Sequence, residues 1–159
     1  MSTRVVTPER AREIFDALGP FTATVAVSHT TYEYEMAKML ELHPSAIQIS
    51  HPFSFPHGVK THLIRVIGRG ESIPADCDAV IIDDSHGKGR LYDPTYARDV
   101  VGRSEIPVIL AGGLNPGNVR DAIERIRPYA VDVASGVEKS PGIKDDKLVN
   151  AFIQAAKGC

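Results

Sequence analysis

The sequence predicts an α/β fold with about six parallel strands. Short apolar runs alternate with amphipathic segments of helical spacing along the 159 residues, without a linker or a low-complexity stretch. Several of these runs are apolar on both faces, which is typical of parallel strands buried under helices. We interpret residues 1–159 as one domain that forms a barrel or an open sheet.

Cap and turn signals divide the first half of the chain into helices and strands. Thr7-Pro8-Glu9 combines an N-cap, a proline in the first turn and an acidic residue beside the helix dipole. Two prolines make a regular helix improbable over 51–58, and 68–76 is too short for one. The predicted elements are a helix from Thr7 to Gly19, a strand over 21–28, a helix over 32–42, a strand over 46–50 and a strand over 62–67.

The second half continues the same alternation of strands and helices. Its last two helices are amphipathic, with apolar residues at helical spacing on one face. The predicted elements are a strand over 79–83, a loop over 84–90, a helix over 96–101, a strand over 108–111, a helix with Val119, Ala122, Ile123 and Ile126 on one face, a strand over 130–134 and a helix from Asp145 with Leu148, Val149, Phe152, Ile153 and Ala156 on one face.

A glycine turn after the strand over 108–111 has the composition of a phosphate site. The paired glycines Gly112 and Gly113 let backbone N–H groups approach an anion, and a helix N-terminus adds about half a positive charge. Asn115 is predicted as the N-cap of that helix and Pro116 as its first residue. The same dipeptides also form ordinary strand-to-helix turns, so both interpretations stay open for this stretch alone.

Polar residues lie at or just after the C-terminal ends of the predicted strands. In α/β folds this edge is where ligands bind. Gly112-Gly113 follows one predicted strand and Ser135-Gly136 follows the next. Many barrels bind phosphate with two neighbouring loops of this kind. The pair of loops therefore favours a phosphorylated ligand. The residues at this edge are Ser28-His29, Ser50-His51, Arg65, Asp83-Asp84, Asp132 and Ser135-Gly136.

Composition and charge argue against several classes of protein. A net charge of −2 and a pI near 6.3 do not indicate a nucleic-acid partner. No apolar run approaches the roughly 20 residues that cross a bilayer, and the N-terminus lacks a signal-peptide pattern. We therefore expect a cytoplasmic protein with no membrane partner. Cys77 and Cys159 form neither a disulfide framework nor a metal quartet, and two free thiols are expected.

Three dense motifs lie in the last third of the chain. They are Leu110-Ala-Gly-Gly-Leu-Asn-Pro-Gly-Asn-Val119, residues 127–138 and Ser140-Pro-Gly-Ile-Lys-Asp145. Together they resemble the C-terminal third of the phosphoribosylanthranilate isomerase family, (βα)8-barrel enzymes of tryptophan biosynthesis. Residues 2–4, 46–50 and 80–89 resemble earlier parts of the family in the same order. The resemblance implies an incomplete (βα)8 TIM-barrel-like fold that lacks strands one and two.

The resemblance also implies a reaction and roles for individual residues. Members of the family perform an Amadori rearrangement, in which an acid opens the ribose ring and a base removes the C2′ proton. Asp83 matches the general acid, Arg4 the arginine that faces the anthranilate carboxylate, and Asp132 an acidic residue near the substrate amine. No cofactor is implied. The residues that match the phosphate-binding loops are Gly112, Gly113, Ser135 and Gly136.

The general base of the family has no counterpart in this sequence. That base is a cysteine on strand one, whereas Cys77 precedes the sixth strand of the family and would lie at the opposite mouth of the barrel. His29, His51 and His86 are candidates for a base at the rim, because an imidazole titrates near neutral pH. The alternative for each of them is an ordinary solvated loop histidine.

Three functions fit these residues, and an isomerase acting on a phosphorylated sugar-amine is preferred. The alternative is a non-catalytic phosphosugar-binding or regulatory protein derived from the family. A metal enzyme using His29, His51, Asp83 and His86 is disfavoured because no compact ligand spacing is present, so no metal is expected. The lack of strands one and two leaves three explanations open. The sequence is a fragment, another chain fills the place of the missing strands, or the fold has readjusted. Exposed strand edges predict a homo-oligomer.

Overall fold

The computed structural model describes residues 4–55, 58–83 and 91–158. Contacts between residues divide the chain into two compact units. The first consists of residues 1–66 and 76–78, and the second of residues 67–75 and 79–159. Both units are built from parallel strands and helices, which confirms the predicted α/β class with six parallel strands. The interpretation of residues 1–159 as one domain stays a prediction.

The first unit contains a parallel arrangement of three strands. β1 pairs with β2, and β2 pairs with β3. A buried cluster of Met36, Ile47, Ile49, Phe53 and Leu63 forms its core. Its elements are α1 (Pro8–Asp16), β1 (Val25–Ser28), α2 (Glu33–Leu40), β2 (Ala46–Ile49) and β3 (His62–Ile67), of which Ile67 belongs to the second unit.

The start of β1 differs from the prediction for a local reason. The strand begins at Val25, four residues later than predicted. Before it, the Oγ of Ser45 accepts a hydrogen bond from the N–H of Thr24 at 3.1 Å, and Thr24 Oγ1 accepts one from the N–H of Ser45 at 3.0 Å. These side-chain bonds satisfy backbone groups in place of the strand ladder.

The second unit also contains three parallel strands, followed by a hairpin and a C-terminal helix. β4 pairs with β5, and β5 pairs with β6. Val80, Ile81 and Ile82 of β4 are fully buried, so both faces of this strand are covered. Its elements are β4 (Ala79–Ile82), α3 (Pro94–Arg103), β5 (Val108–Leu110), α4 (Val119–Ile126), β6 (Ala130–Val131), a 3₁₀ turn (Ser135–Val137), β7 (Glu138–Ser140), β8 (Ile143–Lys144) and α5 (Asp146–Lys157).

The predicted start of α4 is wrong by three residues. The helix begins at Val119, whereas Asn115 and Pro116 precede it in a turn that is closed by a bond from Asn118 N to Asn115 O at 3.2 Å. Asn118 occupies the N-cap position, and its side-chain Oδ1 accepts from Asn115 N at 2.8 Å. The Asn-Pro pair therefore forms a turn, and the amide of Asn118 fixes it.

Three further elements differ from the sequence expectation. β6 ends at Val131, because the chain turns after Asp132 into the 3₁₀ segment. The antiparallel pair β7–β8 was not predicted. α3 starts earlier than predicted, because Asp93 caps it by accepting from the N–H groups of Thr95 and Tyr96 at 2.9 and 3.2 Å. In the described part of the chain, every helix is too short or too polar to span a membrane.

Candidate active site

Two carboxylates and an alanine directly follow three neighbouring strands of the second unit. Asp83 follows β4, Ala111 follows β5 and Asp132 follows β6. The strand ladder continues to this level, through bonds from Ala111 N to Ile82 O at 3.0 Å and from Asp132 N to Leu110 O at 2.9 Å. Residues at one level of a parallel sheet share a face, so the carboxylates lie on the same face about 10 Å apart at Cα. Ala111, between them, is buried, with 2% of its surface exposed.

The environment of Asp132 raises the pKa of its carboxyl. Burial raises the pKa of this carboxyl, and the negative charge of Asp83 raises it further, whereas Lys144 acts in the opposite direction. The residue is exposed at the surface, so this desolvation is partial. The second unit therefore places a carboxyl that retains a proton more readily than an ordinary aspartate beside a second carboxylate.

The glycine turn after β5 is held by hydrogen bonds to its carbonyl groups. Gly112 and Gly113 have φ values of 95° and 65°, which favour glycine. Tyr92 N donates to Gly112 O at 3.3 Å, and Asn118 Nδ2 donates to Gly113 O at 3.0 Å. In a trans peptide the N–H points opposite to the C=O, so these bonds orient the N–H groups of Gly113 and Leu114. Among the described residues, neither of these N–H groups has an acceptor.

The second predicted loop lies directly against this turn. A Cβ on Gly136 would overlap the carbonyl oxygen of Leu114 and would lie 3.1 Å from the Cα of Asn115. The backbones of the two loops are therefore in contact, and glycine is required at position 136 for this approach. The structure places Gly136 against Leu114 and Asn115, which directly follow Gly112-Gly113, as expected for two loops after neighbouring strands.

Comparison with known proteins identifies the family to which these strand ends and loops belong. The family model for N-(5'-phosphoribosyl)anthranilate (PRA) isomerase matches residues 1–155. The chain belongs to this family. The N-(5'-phosphoribosyl)anthranilate isomerase of Methanoregula boonei is 55% identical over 156 residues, which cover 98% of this chain and 80% of the relative.

Solved structures of PRA isomerases match the fold. The enzyme from Thermus thermophilus aligns with a TM-score of 0.84 at 29% identity, over 99% of this chain and 83% of that one. A PRA isomerase in complex with reduced 1-(o-carboxyphenylamino)-1-deoxyribulose 5-phosphate aligns with a TM-score of 0.77 at 31% identity, over 99% and 83%. A third, of monomers generated from the dimeric enzyme of Thermotoga maritima, aligns with a TM-score of 0.79 at 27% identity, over 99% and 83%. These matches confirm the predicted TIM-barrel-like class.

The histidines that were predicted as rim bases have surroundings in this chain that differ from one residue to the next. His29 follows β1, and its Nδ1 lies 3.0 Å from the Oγ of Ser50, which follows β2. His51 packs edge-on against Phe53, with ring centroids 4.8 Å apart and an interplanar angle of 72°. His86 lies outside the described residues. The roles of all three stay predictions.

Two arginines of the first unit complete the set of predicted positions. Arg4 is exposed in a turn before α1, and its substrate-binding role stays a prediction. The placement of Arg65 at a strand end is wrong, because this residue is the fourth of six in β3. Its side chain is buried, and its Nη1 lies 3.2 Å from Asp76 Oδ2. Among the described residues, no group of three or more histidine, cysteine, aspartate or glutamate side chains is arranged to hold a metal ion.

Sequence reasoning missed a charged pair beside the second loop. Lys144 Nζ donates to Ala134 O at 2.7 Å and to Glu138 Oε1 at 3.2 Å. The side chain of Glu138 is only 4% exposed. The signal that could have located this pair is Pro141-Gly142, because this dipeptide indicates a turn between two strands and Gly142 has a φ of 83°.

Proposed function

We propose that this chain isomerises N-(5'-phosphoribosyl)anthranilate, the compound that gives its family its name. The observation that carries the proposal is the contact between the two glycine loops in the unit that also carries Asp83 and Asp132. Backbone N–H groups at the loops suit the 5'-phosphate, and the face that carries Asp83 and Asp132 suits the ribose. The relative bound to a carboxyphenylamino sugar phosphate supports a ligand of this chemical class.

In this proposal Asp83 is the general acid. It donates a proton to the ribose ring oxygen as the bond from that oxygen to C1′ breaks, and the nitrogen lone pair forms the C1′–N double bond. A base then removes the C2′ proton, and the resulting enol-amine becomes the aminoketose. An ionised Asp132 would stabilise the positive charge that develops on the nitrogen after ring opening. Arg4 is proposed to bind the anthranilate carboxylate.

The proposal assigns no residue as the general base. His29 is the candidate whose ring orientation is supported, because the hydroxyl of Ser50 lies within hydrogen-bond distance of Nδ1. Substituting His29 by Gln keeps a polar side chain but removes the imidazole. A large loss of kcat in this variant with little change of KM would favour His29. Unchanged turnover would remove it from the candidates.

The test of the acid is the turnover of N-(5'-phosphoribosyl)anthranilate in metal-free buffer. Asp83→Asn keeps the size of the side chain but removes the acid, and we expect turnover to fall about 10²–10⁴-fold. Asp99→Asn is the matched control, because this exposed aspartate pairs with Arg103 of its own helix at 3.0 Å. Full activity of Asp83→Asn would refute the role assigned to Asp83.

A non-catalytic phosphosugar-binding role is the competing outcome of the same experiment. Binding of ribose 5-phosphate without turnover would favour it, because the glycine loops need no general base to hold a phosphate. Complementation of a tryptophan auxotroph that lacks the isomerase tests the whole site in one step. Growth would exclude the non-catalytic role.

We further propose that the chain self-associates through its first unit. Val27 of β1 is 57% exposed, and β1 pairs with a strand on one side only within this unit. An uncovered strand edge with apolar side chains favours association. The Thermotoga maritima enzyme from which the matched monomers were generated is described as dimeric. A monodisperse monomer in light scattering would refute this part of the proposal.

A further inference from the structure

Lys144 contacts the loop proposed to bind phosphate from the neighbouring hairpin. It lies in β8, opposite Glu138 of β7 in the antiparallel register. Its ammonium group donates to the carbonyl oxygen of Ala134 at 2.7 Å, which is a short charge-assisted hydrogen bond. Ala134 immediately precedes Ser135-Gly136, so the contact is made at the entrance of the loop.

The bond to Ala134 fixes the orientation of the next N–H group. The C=O of Ala134 and the N–H of Ser135 belong to one planar trans peptide, in which they point in opposite directions. Lys144 therefore determines the direction of the Ser135 N–H by holding the oxygen at the other side of the same peptide. Tyr92 and Asn118 act in the same way on the carbonyl groups of Gly112 and Gly113.

Glu138 keeps the ammonium group in place. Its side chain is 4% exposed, and its Oε1 lies 3.2 Å from Lys144 Nζ. Because this carboxylate is buried, it favours a cation beside it, which helps to keep Lys144 in place. The positive charge of Lys144 and the negative charge of Glu138 also cancel at a distance. The main effect of Lys144 on a nearby anion is therefore the orientation that it gives to the Ala134–Ser135 peptide. A second bond, from Asp145 N to Val137 O at 2.9 Å, joins the hairpin to the 3₁₀ turn.

We propose that Lys144 is a positioning residue for the phosphate group of the substrate, which it serves by orienting the Ser135 N–H through the Ala134 carbonyl. This inference rests on the proposed function, because it needs a phosphate at the two glycine loops. Lys144 is assigned no part in the acid–base steps. Its contribution is to binding, and it is expected to affect KM more than kcat.

The experiment measures the affinity for inorganic phosphate by NMR titration of the backbone amides of the full chain. Lys144→Met keeps an unbranched side chain but removes the ammonium group. We expect it to weaken phosphate binding about tenfold and to reduce the shift of the Ser135 amide, as for one lost charge-assisted bond. Lys144→Arg keeps the donors and is expected to restore most of the affinity. Lys139→Met, on the exposed side of the same hairpin, is the matched control.

Ionic strength separates a geometric effect from an effect of charge. If Lys144 acts by orienting the peptide, the loss of affinity in Lys144→Met has the same size at low and at high salt. If its charge attracted the phosphate directly, the loss would shrink as salt screens it, and the inference would be overturned. A proportional rise of KM with little change of kcat is expected in the turnover assay.

A second variant keeps the inference testable if Lys144→Met does not fold. Glu138→Asp retains the buried charge but shortens the anchor by one methylene, which draws Lys144 away from Ala134. We expect weaker phosphate binding in this variant too. Wild-type affinity in a folded Lys144→Met or in Glu138→Asp would overturn the positioning role alone. Failure of the wild-type chain to bind phosphate would overturn the proposed phosphate site together with this inference.

Discussion

Two amphipathic helices of similar length meet different surroundings in the two units. α4 buries Val119, Ala122 and Ile126, whereas α1 contains no buried residue. Ile126 is 3% exposed and Ile14 of α1 is 42% exposed, although both lie on the apolar face of their helix. Helical spacing thus predicts which face is apolar, but it does not predict whether that face is covered. The proposed phosphate site belongs to the unit whose helix face is covered.

The largest expected effect comes from the same substitution in both helices. Ile126→Ala removes a buried side chain and should lower the free energy of unfolding by about 2–5 kcal/mol. Ile14→Ala removes a half-exposed one and should cost less than about 1 kcal/mol. Urea denaturation of both variants measures the difference. Equal losses would show that the face of α1 is covered in solution, contrary to the exposure of Ile14.

A second pair of variants tests how closely the loops of the second unit are packed. Gly136→Ala places a methyl group against the Leu114 carbonyl and should cost about 1–3 kcal/mol, together with loss of phosphate affinity. Gly102→Ala lies in α3 with nothing within 4 Å of the added methyl group, and it should stabilise the protein by about 0.5–1 kcal/mol. Thermal denaturation compares the two. Unchanged thermal stability of Gly136→Ala would mean that the two loops can move apart without loss of free energy of unfolding.

The smallest expected effect is a dependence of the free energy of unfolding on pH, which arises from Asp132 in the second unit. The pKa of Asp132 is raised by burial and by Asp83. Its contribution to stability is therefore present below the unfolded-state pKa and is lost as the pH rises through the folded-state value. Asp132→Asn should be more stable than the wild type at neutral pH, and this advantage should vanish in acid. Urea denaturation across this pH range measures it.

Asp93, the N-cap of α3, provides a control, because its pKa is shifted in the opposite direction to that of Asp132. Hydrogen bonds from the N–H groups of Tyr96 and Thr95 lower the pKa of Asp93. Its contribution is present above the unfolded-state pKa and is lost as the pH falls through the folded-state value. Asp93→Asn should therefore be less stable than the wild type at neutral pH only. The same sign for both variants would contradict the stated environment of Asp132.

The sequence predicted the order of the elements and the pairing of the two glycine loops, because both follow from local patterns. Alternation of apolar runs located the strands, and Gly112-Gly113 and Ser135-Gly136 marked the turns after two neighbouring ones. The N-cap at Asn118 and the hydrogen bond from Lys144 to the Ala134 carbonyl were not predicted. Each depends on where a side chain points after the chain has folded, and spacing along the sequence carries no such information.

The burial of β4 has a consequence for the persistence of the site. Both faces of this strand are covered, Val80 N is bonded to Pro107 O at 3.0 Å, and Ile82 O is bonded to Ala111 N at 3.0 Å. Backbone amides in such a strand exchange their hydrogens with solvent only when a large part of the structure opens. Asp83 is therefore attached to a slowly exchanging segment, so that its backbone keeps one position while ligands enter and leave.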